Sequence, residues 1–377
     1  MKEVKKSAKT SKILKSAKTA KVQKTPKVSE KVKAPKARIL WIDITKAIAI
    51  LSVIISHTIP LDWPLRTAIF SFHMPLFFIL SGYTTKLAPD WPTLKKRMTK
   101  YFKRLILPAL FAISVFAVFD AIKFGNILES PLRIVYWLRV FFLNPHPEGL
   151  DMVAVVWFLV ALFWVKVAMD LVNVVFKTEK NGIIFFFLGV AGLLCGVNSL
   201  HLPAFLDSAM VGVLFVYVGM FWRKNATLIE KYRPYLLIIA GTFWVSQVVR
   251  GVYLEMWRRF YAGYELSILA AIAGAFLISE LAMMFELSKK SGGKVMRKLV
   301  DLISYLGQNT LILLIIHALD MLLFGRFWDL REGTPWTTKS VLISCVLRLS
   351  LNLLTFTLVC LFKEKIKKNR LKRKIKA

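Results

Sequence analysis

The chain has 377 residues, is 56% apolar with 28 Phe and 11 Trp, and carries a formal net charge of +32; its mean hydropathy is +0.56. So apolar a composition excludes an ordinary soluble domain and points to an all-α, multi-span membrane protein. The charge does not indicate a nucleic-acid groove, because Lys and Arg crowd the two tails and alternate loops and leave the apolar stretches nearly clear, as the positive-inside rule requires.

Residues 1–38 are a low-complexity stretch of Lys, Ala, Ser, Thr, Val and Pro, with Lys at every third position from Lys6 to Lys27. That period matches neither helix nor strand, and the segment has too little apolar surface to offset its ordering entropy, so a disordered cytoplasmic tail is expected. It serves either as a solvated extension that reinforces orientation or as a contact for anionic lipid headgroups, which attract each nearby Lys by about 1 kcal/mol. No apolar core of a cleavable signal peptide lies in these residues.

Ten helical spans are predicted after the tail: 40–60, 67–84, 105–122, 152–175, 182–200, 207–222, 233–250, 265–286, 302–324 and 339–362, each near the ~20 residues that cross a bilayer. A short amphipathic stretch, 131–143, is expected at an interface. Basic loops at 85–104, 223–233 and 287–300 alternate with connections poor in Lys and Arg, although Arg258 and Arg259 blur one of the latter. Both termini are therefore expected in the cytoplasm, with a basic C-terminal tail at 363–377. Cys195, Cys345 and Cys360 all fall within apolar runs without metal-ligand spacing, so neither a zinc site nor a disulfide framework is expected.

Chemistry concentrates at the start of the chain. Ionisable groups inside a span are costly, roughly 2.5–3.5 kcal/mol for Asp or Lys on insertion scales, yet Asp43, Lys46, His57 and His73 fall within the first two spans. At 100° per residue, Lys46 and His57 share one helix face, about 16 Å apart along the axis. Asp43 precedes Lys46 by three residues, the spacing of a helix-surface pair. The orientation puts His57 and His73 towards the outer side, together with Asp151, Asp207, Arg250, His317 and Asp320 at the corresponding ends of later spans. Such convergence describes a polar cavity within a membrane. A lone histidine in a span also serves as an interhelical hydrogen-bonder, however, and Asp151 or Asp207 as a helix N-terminal residue. Ser81-Gly82-Tyr83 equally suits close packing at a helix end.

These residues carry a resemblance. Asp43-x-x-Lys46 with ten residues to His57, then Ser71-Phe72-His73-Met74-Pro75-Leu76-Phe77-Phe78 and Ser81-Gly82-Tyr83, are similar to the membrane acyltransferase family 3 and its fucose 4-O-acetylase-like branch. Lys103-Arg104 with Pro108, Trp157-Phe158-Leu159, Leu202-Pro203 with Asp207, and Gly307 to His317 follow in the family's order, so the resemblance covers about residues 38–325. Lys46 stands where many members have Arg, a point charge in place of a planar fork.

The resemblance implies a bacterial inner-membrane enzyme, residues 39–362 forming its catalytic domain. Such an enzyme moves acetyl from acetyl-CoA to a hydroxyl of a surface carbohydrate or its lipid-linked precursor. No permanently bound cofactor, metal or nucleic acid is implied. Catalysis would fall to His57 as base with Lys46 and Asp43, and substrate contacts to His73, Ser81, Tyr83, Trp157, Asp207 and His317. Two other classes remain: a proton-coupled permease, which would also use intramembrane His and Asp, and a non-catalytic partner in an envelope complex.

Overall fold

The computed structural model describes residues 38–60, 63–123, 126–143, 155–177, 181–198, 200–328 and 337–376. The disordered tail expected over residues 1–38 and the expected outer-side residue Asp151 lie almost wholly outside these segments.

Nine of the ten expected spans each overlap one main helix among the described residues, and the tenth, 302–324, is divided between two helices. In chain order these are α1 (Leu40–Ser56), α2 (Pro64–Thr84), α3 (Trp91–Tyr101), α4 (Leu107–Lys123), α5 (Ser130–Leu143), α6 (Trp157–Phe176), α7 (Asn181–Val197), α8 (Leu206–Lys224), α9 (Ala226–Lys231), α10 (Arg233–Val249), α11 (Glu265–Ser291), α12 (Lys294–Gln308), α13 (Thr310–Trp328) and α14 (Thr338–Lys376). Two short antiparallel strands, β1 (Leu254–Glu255) and β2 (Phe260–Tyr261), form a hairpin between α10 and α11.

Among the described residues, six helices are long and apolar enough to cross a membrane: Pro64–Thr84, Trp91–Lys123, Trp157–Phe176, Pro203–Lys224, Glu265–Ser291 and Thr338–Asn369. A seventh is added if the bent pair Lys294–Gln308 and Thr310–Phe324 counts as one span. The remaining three expected spans, α1, α7 and α10, are 17 residues each, about 25 Å of helix against a hydrocarbon core of about 30 Å.

One expectation needs correcting: 302–324 is not a single helix. The chain bends by 72° between α12 and α13. Gly307 lies directly against the main chain of Asp43, so closely that a Cβ there would run into the Asp43 carbonyl. Asn309 then leaves the helix and donates from its side chain to the Tyr305 carbonyl at 2.9 Å. The amphipathic α12 thus lies along α1, and α13 departs in a new direction.

Pro108 has a visible consequence too. It brings no N–H to the first turn of α4, and the preceding turn, Phe102–Ile106, widens to a π-helix in which the Leu107 N–H reaches the Phe102 carbonyl.

α2 is the centre of the bundle, flanked by α1, α8 and α11. Its crossing with α8 is made by small residues: Gly82 faces the Val216 carbonyl and Gly219 faces the Ile79 carbonyl. Such close approach is the usual means of packing helices in lipid, where burial of apolar surface supplies no drive.

Candidate active site

α1 carries Lys46 and His57 on the wall of one cavity of about 1570 Å³. Both side chains are half-buried. His57 terminates the helix, its N–H bonded to the Val53 carbonyl at 3.2 Å and its own conformation helical (φ −82°, ψ 0°), so the shared face expected from the sequence holds. Asp43 is 4% exposed and is not among the described lining residues; its main chain receives Gly307 in the contact between α1 and α12.

α2 adds His73 and Ser81 to the wall. The His73 Nδ1 is 2.8 Å from the Ile69 carbonyl. A carbonyl can only accept, so Nδ1 carries the proton and Nε2 remains the ring's acceptor. Phe70 packs near both histidines, its ring centroid 6.3 Å from His57 and 4.9 Å from His73. Tyr83 turns the other way. It stacks edge-on against Trp41 at 5.0 Å and Trp222 at 5.9 Å, outside the described lining.

The β1–β2 hairpin closes the His57 end, contributing Glu255, Trp257 and Arg258 to the lining. Glu255 accepts from Arg66 at 3.3 Å, and the Arg66 guanidinium stacks 4.0 Å above Phe70. Arg258 lies 3.5 Å from the same carboxylate. Asp207 acts one layer back. Wholly buried, it takes hydrogen bonds from the Leu202 and Ser208 amides at 3.1 and 2.7 Å and from Arg259 Nε at 2.9 Å. Ser208 Oγ donates to the Met256 carbonyl at 2.7 Å. These bonds fasten the hairpin to α8.

Trp157, at the start of α6, lines the cavity and packs on Phe78 and Phe205. His317 does not line it. It is 0% exposed, behind His57 with ring centroids 5.4 Å apart. Of the nine residues singled out, five therefore meet on the cavity wall (Lys46, His57, His73, Ser81 and Trp157), and four support it from outside (Asp43, Tyr83, Asp207 and His317).

Sequence reasoning passed over other polar groups. Arg348 of α14 is buried against the main chain of His57. Near the Lys46 end, Asp170 of α6 accepts from the Ala88 amide at 2.7 Å, Arg97 at 3.2 Å and the Tyr101 hydroxyl at 3.2 Å. Lys166, one turn earlier, donates to Thr85 Oγ1 at 3.2 Å. Arg348, Lys166 and Asp170 are ionisable residues within expected spans, the same signal that drew attention to His57. Among the described residues no group of three or more His, Cys, Asp or Glu is placed to hold a metal ion.

The arrangement defines a multi-pass membrane protein with a partly open cavity lined by two imidazoles, a half-buried lysine and a carboxylate shared by two arginines. The chain belongs to the acyltransferase family 3, whose acyltransferase domain matches residues 39–362. None of the curated proteins and none of the solved structures compared with it matches.

Proposed function

We propose that this acyltransferase is an O-acetyltransferase that moves acetyl from acetyl-CoA to a hydroxyl of a cell-surface carbohydrate or its lipid-linked precursor. The observation that carries the reading is that one cavity is lined by Lys46 towards one end of α1, by His57 at the other, and by His73. A sugar hydroxyl attacks a thioester only as its proton is withdrawn, and neutral imidazole is suited to that task near neutral pH. His57 accepts that proton as the hydroxyl oxygen bonds to the carbonyl carbon. Collapse of the adduct breaks the C–S bond, and the imidazolium returns the proton to the departing thiolate. Lys46 attracts the donor's phosphates, and Arg66 or Arg258 offers positive charge at the acceptor end.

In this reading ten spans at the expected positions, the bent α12–α13 pair counted as one, cross a bacterial inner membrane with both termini in the cytoplasm, and the chain falls in the fucose 4-O-acetylase-like branch of the family. The donor's arm runs from the cytoplasmic side, past Lys46 and up the α1 face. The acceptor enters at the hairpin. Ser81 and Trp157 line the route; Asp43, Tyr83, Asp207 and His317 hold its walls. Residues 1–38 reinforce the inside orientation by their charge, with anionic lipid headgroups as the alternative contact.

The test is mass spectrometry of surface-glycan acetylation in cells lacking the protein, rescued by wild type or by His57→Ala. Acetyl groups restored by wild type alone support the reading; equal rescue removes His57 from the chemistry. One observation favours a permease instead, the 72° break between α12 and α13, because discontinuous helices are common in transporters. Thioester consumption separates the two: a permease leaves acetyl-CoA intact.

A further inference from the structure

Behind His57, on the side away from the cavity, α13 and α14 bring together His317, Asp320 and Arg348. Their side chains are 0–4% exposed. Nothing in the proposed chemistry requires charged groups there, and a buried ion pair is costly to desolvate.

Arg348 spends its guanidinium on the end of α1. Nε meets Asp320 Oδ2 at 2.7 Å. Nη1 donates to the His57 carbonyl at 2.8 Å and to Thr58 Oγ1 at 3.3 Å, and Nη2 is turned to the Met321 sulfur. The last carbonyls of a helix have no N–H of their own to accept, and positive charge is favoured at that end of the dipole. The guanidinium therefore fixes the main chain from which the His57 ring projects.

His317 is the more unusual group. Neither of its ring nitrogens has a hydrogen-bond partner among the described residues. Nδ1 is 3.6 Å from Asp320 Oδ2, too long for a hydrogen bond, and the ring stands 5.4 Å from that of His57. A buried imidazole left without partners is unfavourable. Sub-ångström closure would put Nδ1–H on the carboxylate and leave Nε2 to accept an N–H from His57. Catalytic hydrogen bonds are often long before substrate binds and tighten afterwards.

We propose that His317, backed by Asp320 and clamped by Arg348, is a positioning residue that orients His57 and steadies the imidazolium formed during acyl transfer. The proposal rests on His57 being the base. His57 must present a bare nitrogen to the acceptor hydroxyl during the reaction, so its other nitrogen carries the proton at that moment. His317 Nε2 accepts a hydrogen bond from that N–H, and the Asp320 carboxylate keeps the His317 proton on Nδ1. This is the general logic of a base held by a third group.

The experiment uses the full-length protein in lipid nanodiscs with acetyl-CoA as donor and envelope glycan extracted from the host cells as acceptor, following thiol release. Four forms are compared: wild type, His57→Ala, His317→Leu and Arg348→Lys. His317→Leu removes two unpartnered nitrogens while keeping side-chain volume, so it should keep or raise the thermal midpoint. If His317 orients the base, kcat falls about thirtyfold or more, a part of the roughly 10²–10⁴-fold that a positioned base supplies, with KM for acetyl-CoA within about twofold of wild type. A role in packing alone leaves kcat unchanged, and that result overturns the proposal. Arg348→Lys keeps the charge beside Asp320 without the fork, and should show an intermediate kcat, again at constant KM. Loss of turnover in His57→Ala beside a fully active His317→Leu refutes only the positioning role. Turnover retained in His57→Ala refutes the base itself, and this proposal with it.

Discussion

Asp207 and Arg259 meet at 2.9 Å with 0% and 2% of their side chains exposed, and this pair ties the β1–β2 hairpin to the start of α8. Removing one partner strands the other charge in a dry site, which costs about 3–5 kcal/mol, whereas removing both costs far less. Asp207→Asn should therefore lower the thermal midpoint in detergent sharply, and the double change Asp207→Leu with Arg259→Met should recover most of it. A single variant as stable as wild type would show that the hairpin is anchored by something else.

The same hairpin presents Glu255 and Trp257 to the cavity, so its anchoring has a functional consequence. If the hairpin is the acceptor end, as proposed, Asp207→Asn loosens that end while Lys46 is untouched. Acceptor KM should rise about tenfold with donor KM steady, the signature of lost uniform binding on one substrate only. Steady-state kinetics with each substrate varied in turn measure both. Equal rises in the two KM values would locate the damage in the whole cavity instead.

The glycines of the α2–α8 crossing allow a steric test. A Cβ at Gly82 or Gly219 would run into the opposite helix's main chain, which cannot yield as a side-chain tip can. Gly82→Ala and Gly219→Ala should each destabilise by about 1–3 kcal/mol or more, the range for overpacking. Gly241 is the control. It sits within α10 with nothing inside 4 Å of the added atom, so Gly241→Ala should be neutral or stabilise by up to about 1 kcal/mol through helix propensity. Thermal unfolding of the three variants checks the order.

Helix positions were legible in the sequence because long apolar runs and alternating basic loops are averages over many residues. The Lys46–His57 face was legible for a related reason, since helix periodicity alone fixes it. What the sequence hid depends on distant partners. Nothing near Arg259 in the chain says that it pairs with Asp207, 52 residues away. Nothing near Tyr83 says that it turns towards Trp41 and Trp222 rather than the cavity. The break after Gln308 left a mark in the sequence, since Gly307-Gln308-Asn309-Thr310 interrupts the apolar run of 302–324, but the contact of Gly307 with Asp43 that accompanies the bend is a long-range feature. Arg348 could have been found, as a lone guanidinium within the last expected span, although its attachment to His57 could not.

Lys46 and His57 are held on one helix and its cap, so if Lys46 meets the donor and His57 is the base, as proposed, a change at Lys46 should weaken donor binding without disturbing the base. A charge-assisted contact to a phosphate contributes about 1.5–3 kcal/mol, which corresponds to a rise of roughly 10- to 150-fold in KM for acetyl-CoA when the ammonium is removed. Lys46→Met should show that rise with kcat little altered. Lys46→Arg restores the charge, adds a second donor edge, and should bring KM back to within about threefold of wild type. Acetyl-CoA titrations against the three proteins, with thiol release as the signal, decide the matter. If KM stays put in Lys46→Met while kcat falls, Lys46 acts on the reacting carbonyl, and the donor's phosphates must be bound elsewhere, with the exposed Lys95, Lys96 and Lys100 of α3 as the next residues to substitute.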